Sequence, residues 1–113
     1  MSKFVPTPPP DDATLEQLDS EHDGVHDFRG PERAPFVYVV RRPTPKELSA
    51  YNAENKRGRT LEANRLLLLA ITVYPDRAAV DQQITRWPAS AGTCLTSDAF
   101  TEFCGGVLSD HQK

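Results

Sequence analysis

The nearest this 113-residue chain comes to a metal site is a pair of histidines among carboxylates. In Glu21-His22-Asp23-Gly24-Val25-His26-Asp27, the spacing of His22 and His26 would bring two imidazoles to one face of a helix. The setting argues against that helix: Gly24 and the strand-like run that follows interrupt it. No further Cys or His clusters beside the pair, and no Glu stands where a zinc protease carries its base. The reading is a solvated acidic turn without metal.

Nucleophilic chemistry has less to work with. No GxSxG elbow occurs, and His111 lies in a polar stretch, 108–113, expected to fray. Cys94 and Cys104 are too far apart for a CxxC motif and are read as reduced and partly buried. Gly105-Gly106 lacks the Lys-Ser/Thr of a phosphate-binding loop and reads as a helix terminator. No catalytic residue, metal ligand or cofactor site is assigned, and the chain is not expected to be an enzyme.

Charge offers an alternative, a small nucleic-acid-binding or adaptor protein. Arg41, Arg42, Lys46, Lys56, Arg57, Arg59 and Arg65 crowd one segment, and Tyr38 and Tyr51 offer stacking faces. Against it, Glu47, Glu54 and Glu62 interleave with these cations, and the net charge is -3. Nucleic acid is therefore not the expected partner. The balance is uneven along the chain: residues 1–35 hold three bases against eight acids (-5), the remainder ten against eight (+2).

The elements that must position these groups are organised around Thr60 to Tyr74, TLEANRLLLLAITVY. Leu66 to Ile71 is apolar on every helical face, as in a segment wrapped by others, so a buried central helix is expected over 60–74. Thr60 is read as its capping hydroxyl, Glu62 as an acid suited to the first turn, and Pro75 as its stop. The β-branched tail Ile71-Thr72-Val73-Tyr74 also suits a strand, but the run is long and does not alternate. With about ten apolar residues against the roughly twenty needed, it does not span a bilayer.

Around it, Thr44-Pro45-Lys46-Glu47 forms a capping box with proline at the first helical position, predicting a helix over 45–56 with Gly58 near its end. Asp76 caps a helix over 76–87, whose Val80, Ile84 and Trp87 share one stripe. A last helix is expected over 96–104, capped from Ser90 or Thr96, with Leu95, Ala99 and Phe103 in line and Phe100 and Cys104 alongside. The expected core is Leu67, Leu68, Ile71, Val80, Ile84, Trp87 and Phe103; Leu48 belongs to a thinner outer contact.

Upstream, Val25–Arg29 and Phe36–Arg41 read as a β-hairpin, 25–41, turning at Gly30 to Pro35. Phe36, Tyr38 and Val40 fall on one face, Val37 and Val39 on the other, so both faces want cover. A lone hairpin is marginal in water, and no third strand is evident. Phe36, Val37, Tyr38, Val39 and Val40 are therefore read as a partner-binding surface, for a client or for a second copy in a homo-oligomer. Residues 1–22 read as a disordered acidic leader, in which Thr14 to Gln17 can seed one helical turn. The stretch MSKFVPTPPPDD places prolines and acids where a signal peptide has an apolar core. The expected architecture is α+β, mostly α: one globular domain over 23–107, an N-terminal hairpin followed by three to four helices around a buried central helix.

Over residues 36 to 107 the pattern resembles the small tail assembly chaperones of long-tailed bacteriophages and prophages. The resemblance rests on a strand ending in Arg-Arg-Pro-Thr, a capped helix, an apolar run closing on Val-Tyr-Pro-Asp, a helix ending in Trp87-Pro88 and a last helix closed by Gly-Gly. It implies a non-enzymatic protein of the host bacterial cytoplasm, without cofactor. Such a protein binds the tape measure protein, keeps its long apolar helices soluble and helps recruit tail tube subunits. A longer product made by ribosomal frameshifting is a further property of the family.

Overall fold

The computed structural model describes residues 7–105. These form α1 (Asp12–Glu21), β1 (His26–Arg29), β2 (Val37–Val40), α2 (Pro45–Lys56), α3 (Thr60–Ile71), β3 (Thr72–Tyr74), α4 (Arg77–Arg86), α5 (Ser90–Leu95) and α6 (Asp98–Cys104). The class is α+β, mostly α, with an N-terminal hairpin. Several local signals hold as read. Thr44 and Glu47 close a reciprocal capping box, Asp76 accepts from the Ala79 N–H, and Gly105 ends α6 in the left-handed conformation (φ 84°). Thr60 does not cap α3; Arg59 holds that position without a side-chain bond.

The hairpin is not alone, which corrects the expectation of an uncovered edge. The sheet is antiparallel with order β1-β2-β3, and the third strand is the tail of the segment read as one helix over 60–74. The chain leaves the helix after Ile71, with Thr72 extended at φ -74°, ψ 124°, and Val39 pairs with Tyr74, Val40 with Thr72. β-branched Thr72 and Val73 are easily held extended, and β2 has an open edge to receive them. The length of the apolar run hid a change of periodicity within it.

With an edge strand on each side, β2 becomes the centre of the molecule. Phe36 and Val37 are 5% and 3% exposed, and Tyr38, Val39 and Val40 are 0% exposed. The five residues read as a partner surface are thus core. Phe36, Tyr38 and Val40 join Leu67, Leu68, Ile71, Val80 and Ile84 in one cluster, with Trp87 and Phe103 half-buried against it. β3 ends before it reaches Val37. There Gln83, 1% exposed, takes the place of a strand: its Oε1 accepts from the Val37 N–H at 2.8 Å and its Nε2 donates to the Val37 carbonyl at 3.0 Å. Gly30 lets the hairpin loop fold back, because a Cβ there would collide with the Ala34 carbonyl oxygen and the Phe36 ring.

Other expectations change in detail. Leu66–Ile71 is not wrapped on all sides: Leu66 is 42% exposed, and Ala70 also faces outward. An additional helix, α5, occupies the stretch after Pro88 and contributes Ala91, Cys94 and Leu95 to the core. Ser97 caps α6 by accepting from the Phe100 N–H, so Phe100 turns fully inward while Ala99 is exposed. The leader is ordered where it is described. Asp11 caps α1 by accepting from the Thr14 N–H, Pro10 is buried, and the Tyr74 hydroxyl donates to the Pro8 carbonyl at 2.7 Å. Residues 1–6 and the expected frayed end, 108–113, lie outside the described residues.

Gln83→Met keeps about the length of this side chain but orphans the buried N–H and C=O of Val37, each costing about 1–3 kcal/mol when left unpaired. Chemical denaturation is expected to show a lower midpoint with an unchanged slope. An unchanged midpoint would mean that water or a shifted strand satisfies Val37.

Candidate docking groove

α2 and α3 lie antiparallel, as three contacts along their length show. Arg41 bonds Glu47 at the start of α2 and the Ala70 carbonyl at the end of α3; the Tyr51 hydroxyl donates to Asn64 Oδ1 at 3.0 Å midway; the short turn Arg57–Arg59 joins the far ends. Between them runs a groove of about 320 Å³ lined by Ala50, Ala53, Ala63, Leu66, Leu67 and Ala70. The alanines make it, since a larger side chain at any of these positions would fill the space. Leu61 (72% exposed) and Leu66 are the large apolar residues that the described chain leaves in water, and both lie on α3.

The two carboxylates at the groove are already paired. Arg41 grips Glu47 with two bonds, 3.0 and 2.7 Å, which hold the Glu47 carboxyl below the usual range, while Glu47 also accepts from the Thr44 N–H. Glu54 takes Arg57 at 3.2 Å and Arg59 at 3.6 Å. The groove is therefore apolar inside and charge-compensated at its edge, which suits an apolar helix face better than a polar ligand. Two other hollows fit a partner less well. One, about 450 Å³, is lined by polar Ser49, Asn52 and Lys56 beside Leu48; the other, about 420 Å³, opens over Trp87 and the buried ring of Phe36.

The residues that suggested other chemistry are dispersed. Of the seven cations in the basic segment, four arginines have carboxylate partners: Arg41, Arg57 and Arg59 as above, and Arg65 with Glu62 and Asp81. Arg42 lies 4.3 Å over the Phe103 ring and donates to the carbonyls of Phe103 and Asp23. His22 ends α1, whereas His26 is not in a solvated turn: it stands in β1 with its ring 5.7–6.2 Å from those of Phe28, Phe100 and Phe103. Among the described residues no group of three or more His, Cys, Asp or Glu is arranged to hold a metal ion. Burial pushes the Cys94 thiol up to about 12 and the Cys104 thiol to about 11, which leaves little thiolate at neutral pH.

The groove was hard to see in the sequence because its residues are small. Ala50 and Ala53 stand three apart on α2, Ala63 and Ala70 seven apart on α3, and this spacing of small side chains on two successive helices is the one available signal.

Burial among the three rings pushes the His26 imidazole below its ordinary value of 6.5, with Asp27 pulling the other way. The unfolded chain therefore takes up this proton first, and stability falls as pH drops through about 6.5 toward the folded value. The lowered Glu47 and Asp11 carboxyls contribute stability that is lost only as pH falls through their own lower folded values. His26→Phe should thus flatten the dependence of the denaturation midpoint between about pH 7 and 5; an unaltered slope would show that His26 protonates without cost. No protein-family model, curated protein or solved structure matches this chain.

Proposed function

We propose that this chain is a non-enzymatic tail assembly chaperone that holds an apolar helix of its client in the α2–α3 groove. The observation that carries the reading is the groove itself: small residues along its length, with Leu66 of its lining left in water. Helix-in-groove recognition needs this combination, because the client's large anchors descend where the alanines leave room and the exposed Leu66 closes over them. Burial of apolar area then supplies most of the affinity, at about 25 cal/mol per Å². The client that fits is a long helical protein with apolar stripes, which is the chemistry of the tape measure protein; the same scaffold helps recruit tail tube subunits in the host bacterial cytoplasm. The pattern of residues 36 to 107 described above supports this assignment.

The client site moves accordingly from β2 to the helices. Tyr38 and Val39 contribute by building the sheet, and Val39→Lys is expected to unfold the domain instead of altering its contacts.

The test is co-purification and titration with a tape measure protein of a long-tailed phage. Leu66→Asp and Ala53→Arg, both at exposed positions, are expected to keep the wild-type circular dichroism spectrum and to weaken binding by about 2 kcal/mol, roughly thirty-fold. Full binding by both folded variants would remove the groove from the function, and no binding by the wild type would remove the client.

A further inference from the structure

Among the described helices α1 is the one that buries no side chain. Leu15 and Leu18, three apart on one side of it, are half-exposed and do not join the core cluster. The structure holds the helix at its ends: Tyr74 binds the Pro8 carbonyl on one side, and Arg42 binds the Asp23 carbonyl at 2.8 Å on the other. Gly24, at φ +105°, lets that second anchor form, since a Cβ would lie 2.7 Å from Arg42 Nη1. α1 is thus an ordered amphipathic helix displayed by the domain without being packed into it.

Its charge is one-sided. Asp12, Glu16, Asp19 and Glu21 lie on α1 with no basic residue among them. The far end of the groove has the opposite character, with exposed Lys56, Arg57 and Arg59 at the corner between α2 and α3 against the single carboxylate of Glu54. The lengths agree as well: ten residues of helix span about 15 Å, and the stretch of α2 from Glu47 to the corner is of the same order.

We propose that the α2–α3 groove is a self-association surface whose occupant is α1 of a second copy of this chain. Leu15 and Leu18 enter between Ala50, Ala53, Leu66 and Ala70, and the acidic flank of α1 meets the basic corner. Each copy owns one helix and one groove, so reciprocal exchange closes a two-fold dimer. The inference rests on the groove that the functional reading assigns to a client but not on the client's identity; client and second copy compete for one site.

Sedimentation of the full chain from micromolar to submillimolar concentration, at low and high salt, tests this. The wild type is expected to dimerise, and less so at high salt, because the corner contacts are exposed and screened. Leu15→Asp with Leu18→Asp, which touches no core residue, and separately Leu66→Asp, should each weaken dimerisation at least about tenfold with unchanged circular dichroism. Mixing these two variants is the decisive arm: the first retains a groove and the second a helix, so one joint re-forms and hetero-association reappears. A wild type that stays monomeric, a dimer that survives both sets of substitutions, or a mixture that does not associate overturns the proposal. Client binding is read in parallel: an α1 variant that loses the dimer and keeps the client supports both readings, whereas loss of client binding with the dimer intact removes the client alone.

Discussion

A four-residue strand buried on both faces and both edges sets the terms for the rest of this molecule. β2 carries apolar side chains to either side, so each face must be covered, and its backbone N–H and C=O groups, shut away from water, must each find a partner. β1 supplies one edge and β3 most of the other. The remainder, at Val37, falls to the side-chain amide of Gln83, which presents a donor and an acceptor as a neighbouring strand would. A core that needs an amide at this point ties α4 to the sheet in one register, since sliding either element would leave a pair of buried polar groups unpaired. Tyr38 does the same for α5, with its hydroxyl 2.8 Å from Ser90 Oγ and both residues buried.

The next residue beyond the strand carries this order outward. Arg41 donates its backbone N–H to the Ile71 carbonyl and uses its guanidinium to join Glu47 of α2 to the Ala70 carbonyl at the end of α3. The ion pair is partly solvated, so it contributes geometry more than energy. Its effect is to lay α2 alongside α3 with their small residues facing a common groove. The same step that ends α3 and begins β3 therefore finishes the sheet and fixes where the groove ends.

This division of labour explains why the apolar surface of the chain lies on the helices. The central strand is enclosed between two half-buried edge strands, whereas α2 is a narrow, outlying helix that covers only part of α3, and Leu61 and Leu66 of α3 stand in water. The aromatic cluster around His26, with Arg42 stacked on Phe103, stands apart as a structural joint between β1 and α6.

The residues by themselves determined much of what depends on neighbours within one turn, though not the caps of α3 and α6. The capping box at Thr44 and Glu47, the Asp76 cap and the left-handed end at Gly105 are interactions over three or four positions, and they stand where the pattern puts them. The core leucines and isoleucines of α3 and α4 were legible for the same reason, because helical periodicity is local. What only the tertiary structure decided is how the strand Phe36 to Val40 is covered. Val37 and Gln83 lie 46 positions apart, and β3 is called out of an apolar helix by an open edge that precedes it by some thirty residues. The length of the apolar run and its lack of alternation gave Thr72 to Tyr74 to the helix; the free edge of β2 outweighed them, since a strand there satisfies backbone groups that a longer helix would have left unpaired.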